Sequence, residues 1–217
     1  MKNTKQKIID AAMHEFAEFG YKKATVRGIC ERAKVNVASI NYHFVSKQDL
    51  YFQIFEQHIN KNERYQLPDG SAINSQADLE NTLKEWISVM LSRVIASYKD
   101  EAKLFMQLAM QELIFPSELR QELGEKYFRH DHDSLQSILA KTTLSSHDAH
   151  IKMIALFAKC TFYIYHKYGI EIMTGDKNFL ENNFDDIVET IFRETMLGLT
   201  FSHKPLTIKK LPMQKVK

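Results

Sequence analysis

Residues 25–50 read TVRGICERAKVNVASINYHFVSKQDL, and their spacing decides the fold. Thr25 can cap a helix, and behind it Val26, Ile29, Cys30 and Ala33 recur at three- and four-residue steps as one apolar stripe. Lys34, Val35 and Asn36 form a corner. Asn36 can then cap a second short helix, Val37 to His43, whose Ile40 turns inward. Ser46 and Asp49 have the S-x-x-D spacing of a capping box, and Leu50, Tyr51, Ile54 and Phe55 mark the helix that follows. Two short helices meeting at a tight corner, braced by a third, make a helix-turn-helix.

The Val37–His43 helix is too short to persist alone in water, so its neighbours must hold it. With Ile40 buried, Val37, Ala38, Ser39, Asn41, Tyr42 and His43 remain outside. Small side chains at its start permit close approach to base edges. Val37 and Ala38 suit a thymine methyl, and Ser39 and Asn41 can hydrogen-bond to bases. Tyr42, His43 and Lys47, with Thr25 and Arg27 at the preceding helix start, are placed for phosphates, and helix N-termini add anion affinity. Upstream, Asn3 or Thr4 can cap a first helix whose stripe is Ile8, Ile9, Ala12, Phe16 and Phe19, with Gly20 placed to end it.

This head resembles the N-terminal domain of the TetR family of bacterial transcriptional regulators. The matching residues are Ile9, Ala12, Phe16, Gly20, Thr25, Ile29, Ala33, Val35, Ile40, Tyr42, Phe44, Lys47 and Leu50, agreeing in type, order and spacing over roughly residues 5–55. Two positions depart from the family pattern. Lys34 stands where a turn glycine is usual, at a cost of about 1 kcal/mol for a non-glycine residue with positive φ. Cys30 replaces a usual alanine with another small residue. The resemblance implies DNA binding by residues 1–60 and a larger helical effector-binding and dimerisation domain over 61–203. QELIFPS (Gln111–Ser117) and NVASINYHF look more narrowly like a subgroup whose C-terminal part is called CerR-like.

The composition agrees with an all-α reading. Seven Gly and four Pro in 217 residues are few for a turn-rich β protein, and 44% hydrophobic with 26% charged content fits a globular chain. The spacing predicts body helices over 78–98, 101–114, 116–139, 148–168 and 179–201, about nine helices in all. Breaks are expected around 66–75 and 142–146, with a turn at Gly169 and Gly175. Residues 1–60 hold nine Lys/Arg against six Asp/Glu (+3), residues 61–203 fifteen against twenty-one (−6), and 204–217 five lysines and no acid (+5). A basic head on an acidic body suits approach of the head alone to a polyanion; the basic tail is open in role and possible disorder is its expectation.

In the body, Met90, Phe105, Met106, Met110, Tyr127, Phe128, Phe157 and Phe162 could line an adaptable apolar pocket for a small hydrophobic or aromatic effector, or simply fill the core. The helix from Ile151 is apolar on more than one side, as is the last. A four-helix homodimer interface is what the family resemblance implies here, with Ile151, Ile154, Ala158, Tyr165, Ile187, Ile191 and Leu199 as candidates.

No phosphate-cradling glycine loop, G-x-S-x-G elbow or HExxH motif occurs, so no enzyme and no cofactor are expected. His130-Asp131-His132-Asp133 alternates around a helix, and His147 and His150 lack an evident third ligand, so no metal is expected. The two cysteines form no spaced motif; with no secretory pattern or spanning run, a cytoplasmic protein without membrane partners is expected. The expected function is a ligand-responsive, homodimeric regulator, most often a repressor that leaves a palindromic double-stranded DNA operator when a small molecule binds. The alternatives are a small-molecule enzyme with a vestigial DNA-binding head and an effector-independent DNA-binding accessory protein.

Overall fold

The computed structural model describes residues 3–60, 66–98 and 100–203. In chain order its α-helices are α1 (Thr4–Lys23), α2 (Val26–Ala33), α3 (Val37–His43), α4 (Lys47–Asn60), α5 (Gln76–Ser97), α6 (Asp100–Ile114), α7 (Arg120–Leu123), α8 (Arg129–Leu139), α9 (Ser146–Thr174), α10 (Phe179–Asn182) and α11 (Phe184–Met196). The fold is all-α, with more helical segments than the nine expected because two expected helices are split. Two compact units form: Met1–Glu63 with Ser97–Phe128, and Arg64–Ala96 with Arg129–Lys217. The first unit thus adds residues 97–128 to the expected head. The basic tail over 204–217 lies outside the described residues.

In the first unit, Asn3 caps α1 by accepting the Gln6 N–H at 2.8 Å. Ile8, Ile9, Ala12 and Phe16 are buried as expected, but Phe19 is exposed. Gly20 leaves helical geometry directly after it, with φ 72 and ψ 164. The core joins α1, α4 and α6 through edge contacts of Phe16 with Tyr51 (4.8 Å), Tyr51 with Phe55 (5.3 Å) and Phe55 with Phe105 (5.3 Å). A helix was expected to run unbroken from Pro116 to Leu139. Instead α7 opens into a π-helical turn, Gly124–Phe128, before α8. Gly124, a poor α-helix former, begins the widened turn, which places the Tyr127 hydroxyl 3.1 Å from the Phe52 carbonyl.

The second unit is built around Trp86 of α5, which is fully buried. Its indole N–H donates to the Ser134 hydroxyl on α8 at 3.0 Å, and its ring meets Phe157 of α9 edge-on at 5.1 Å. The expected break at 66–75 is an ordered segment with a 3-10 turn, Gly70–Ala72. The Gly70 N–H donates to the Ser137 hydroxyl at 2.8 Å, and a Cβ there would collide with the Ser137 carbonyl.

Two body boundaries differ from expectation. Helix α9 spans 29 residues, from Ser146 to Thr174, not 148–168. Ser145 caps its start by accepting the Asp148 N–H at 3.1 Å. Gly169 lies inside it, tolerated at a cost of about 1 kcal/mol, and only Gly175 takes the left-handed conformation, φ 71, that ends it. The helix expected over 179–201 breaks at Asn183 and stops at Met196. Gly198 (φ 78) then turns the chain so that Phe201 bridges to Thr142 and donates its backbone N–H to the Gln76 side-chain oxygen at 2.8 Å.

Candidate nucleic-acid interface

The interface is assembled from the α1–α2 packing outward. The Thr25 hydroxyl accepts the Gly28 N–H at 3.0 Å, capping α2. Gly28 sits so close to Glu15 of α1 that any Cβ would strike its carboxyl group. Glu15, itself buried, accepts from Arg32 Nε at 2.9 Å, and Arg32 also pairs with Glu18. The hydrogen bond to Glu15 is the largest influence raising the guanidinium pKa, followed by opposing burial and then Glu18. This fixes the rotation of α2 on α1.

The corner follows. Lys34 adopts the left-handed conformation (φ 56, ψ 47), the geometry that explains why glycine suits this position. Val35 N–H returns to the Cys30 carbonyl at 3.1 Å. Asn36 caps α3, its side-chain oxygen accepting both the Ser39 N–H (2.9 Å) and the Ser39 hydroxyl (3.0 Å). Ile40, 2% exposed, is the only buried residue of α3. On the far side, the Ser46 hydroxyl accepts the Asp49 N–H at 3.0 Å, and the Asp49 carboxylate accepts the Val45 N–H at 3.0 Å. The reciprocal bond of this box therefore lands one residue before the cap.

Val37, Ala38, Asn41 and Tyr42 are exposed, as expected, and Tyr42 reaches 84%. Ser39 is half-buried, with its hydroxyl hydrogen committed to Asn36. His43 is half-buried between the rings of Tyr42 (4.9 Å) and Phe44 (6.2 Å). Thr25 and Arg27 are exposed at the α2 start, Arg27 paired with Glu31 at 3.3 Å. Lys47 has a second task that its sequence position hides. Its ammonium donates to the carbonyls of Tyr21 (2.8 Å) and Ala24 (3.2 Å) and lies 4.4 Å from the centre of the Tyr21 ring. It thereby ties the start of α4 to the end of α1. The structure adds two neighbours that the spacing did not disclose: Val45, 95% exposed at the α3–α4 elbow, and Lys5, with its ammonium 5.7 Å from the Phe44 ring.

The pattern of residues 8–54 matches the family model described as bacterial regulatory proteins, tetR family. In this segment the chain is similar to the tetR family. It is 47% identical over 47 residues to the HTH-type transcriptional dual regulator CecR of Shigella flexneri, covering 22% of this chain and 21% of that one. It is 33% identical over 75 residues to the A-factor receptor protein of Streptomyces griseus, covering 35% of this chain and 26% of the relative. The aligned segments thus span about a fifth to a quarter of these relatives' lengths. Over the longer range the likeness is one of fold: the hemolysin II transcriptional regulator HlyIIR superposes with a TM-score of 0.60 at 24% identity, covering 88% of this chain and 96% of that chain.

The body distributes the remaining candidates unevenly. Phe105, Tyr127 and Phe128 gather around Phe55 in the first unit, and Phe105 also stacks on His58 at 4.6 Å. Met106 and Met110, half-buried, share that unit, whereas buried Met90 and half-buried Phe157 belong to the second. Phe162, by contrast, is exposed. It lies in register with Ile151, Ile154 and Ala158 on the exposed side of α9 and stacks on His166 at 4.0 Å. Of the interface candidates, Ile151, Ile154 and Ala158 are exposed. Ile187 (8%) and Ile191 (5%) are buried within their own unit, because α11 turns this stripe inward, and Leu199 (4%), beyond the end of α11, is buried too. The Tyr165 side chain lies outside the described residues.

Neither histidine group assembles a metal site: among the described residues no cluster of three or more His, Cys, Asp or Glu side chains could hold an ion. Asp131 instead pairs with Arg93 at 2.8 Å. No described helix is long and apolar enough to cross a membrane.

Proposed function

We propose that this chain is a homodimeric, one-component transcriptional regulator of the cytoplasm, a repressor that leaves a palindromic operator when a small hydrophobic or aromatic molecule binds. It is read as a binding protein, not an enzyme. The observation that carries the reading is α3: a seven-residue helix anchored by Ile40 alone, with Val37, Ala38, Asn41 and Tyr42 in solvent. Such a helix adds little to the core. Its shape suits the major groove, where Ser39 and Asn41 would meet base edges and Thr25, Arg27, Tyr42, His43 and Lys47 would meet phosphates.

The second copy is argued from α9. Ile151, Ile154, Ala158 and Phe162 form an exposed apolar stripe, continued by Ile172 near the helix end. At 1.5 Å per residue it runs roughly 30 Å, enough for a symmetric helical interface. An effector is supported by the likeness to the A-factor receptor protein, a relative named as a receptor. Release then requires the effector to favour one of two states of the body.

The test is a titration of labelled duplexes from the DNA upstream of the gene, with and without a panel of small aromatic and aliphatic compounds. Saturable, sequence-selective binding weakened by a panel member is expected. Failure to prefer any duplex would reject the reading.

A further inference from the structure

The QELIFPS segment, singled out by its sequence, lies outside residues 1–60, yet two of its polar residues, Gln111 and Glu112, grip the head. Gln111 Nε2 donates to the Ala17 carbonyl at 2.7 Å, near the end of α1. Glu112, only 7% exposed, accepts the Tyr51 hydroxyl of α4 at 2.7 Å with one carboxyl oxygen and the Ser117 N–H at 3.0 Å with the other. The Ser117 hydroxyl in turn accepts the Leu119 N–H at 3.1 Å, folding the Pro116 turn back on itself.

Tyr51 is the meeting point of the head. Its ring lies 4.8 Å from Phe16, 4.9 Å from Tyr21 and 5.3 Å from Phe55. Tyr21 also carries the Lys47 ammonium on its face and its carbonyl. Among the described residues no cation pairs with Glu112, and a buried carboxyl group so placed is costly to hold unless its hydrogen bonds are complete. Hydrophobic packing alone would have served stability as well. We infer that Glu112 is a positioning residue for DNA recognition: through Tyr51 it fixes α4 and the end of α1, and so the angle at which α3 is presented. This rests on the DNA-binding reading above.

The experiment uses the full chain. Duplexes are first selected from a random-sequence pool on the unaltered protein, and affinity is then measured for a selected duplex and for its scrambled counterpart. Glu112→Gln keeps the shape but replaces one acceptor oxygen by a donor, and Tyr51→Phe removes the hydroxyl. Each is expected to lower the selected-to-scrambled affinity ratio about tenfold, and the double variant no further, since both break one contact.

A pair that served stability alone would lower the melting temperature and leave that ratio unchanged in the folded protein; such a result overturns the inference. So would losses that add in the double variant, or two single variants that are both unfolded. If the unaltered protein selects no duplex, the DNA-binding reading fails and takes this inference with it. Selection intact with an unchanged ratio sinks the inference alone.

Discussion

Lys47 illustrates how one side chain can be read correctly by position and incompletely by role. Its place just after α3 suits a phosphate contact, but the fold also uses its ammonium to close the carbonyls of Tyr21 and Ala24. Lys47→Ala should therefore weaken binding to all duplexes and flatten the salt dependence of log K by about one unit of slope. It should also lower stability by about 1–2 kcal/mol, a charged hydrogen-bond contribution discounted for partial exposure. Urea unfolding run beside the binding titration separates the two effects; an unchanged midpoint would remove the structural role. Lys34 carries an opposite expectation. Its left-handed backbone (φ 56) penalises any side chain, so Lys34→Gly should stabilise the protein by roughly 0.5–1 kcal/mol, unless the added freedom of the unfolded chain cancels the gain. Gly28→Ala should do the reverse, since the new Cβ meets the Glu15 carboxyl that holds Arg32. At Asn41, exposed on α3, truncation to alanine should relax preference at one base position without altering the salt slope.

Elements were legible where local chemistry fixes both ends. Thr25, Asn36 and Ser46 each act as the cap their spacing announced, and Ile40 is buried as a lone apolar residue between polar neighbours predicts. Legibility failed where two signals of equal local strength compete. Gly169 and Gly175 look alike in sequence, and only the backbone shows that the second alone turns left-handed. Likewise, the α11 residues Ile187 and Ile191 and the α9 residues Ile151 and Ile154 make equally good apolar stripes. Only packing decides which stripe is covered within the chain and which is left exposed. That difference yields a contrast in outcome. Ile154→Glu, at a position 64% exposed, should leave the fold intact and shift the protein toward monomer in sedimentation. Ile191→Glu, at 5% exposure, buries a charge without a partner and should unfold the chain before any change in assembly is seen. A folded, fully dimeric Ile154→Glu variant would refute the assignment of that face.

At the scale of the molecule, the chain carries its own reporter. Trp86 is the single tryptophan, fully buried in the second unit and hydrogen-bonded to Ser134, while α3 belongs to the first. A compound that enters the second unit near Trp86 should perturb its emission, whereas a duplex bound through α3 touches a different unit altogether. Linkage then gives a strict requirement. If an effector lowers duplex affinity tenfold, a bound duplex must lower effector affinity by the same factor, because both describe one coupling free energy. Titrating the compound into free and duplex-saturated protein, with Trp86 emission as the signal, should return two dissociation constants in that ratio. Equal constants would mean that the compound does not distinguish the DNA-competent state from the released one. A ligand without that preference cannot displace a protein from DNA, however tightly it binds.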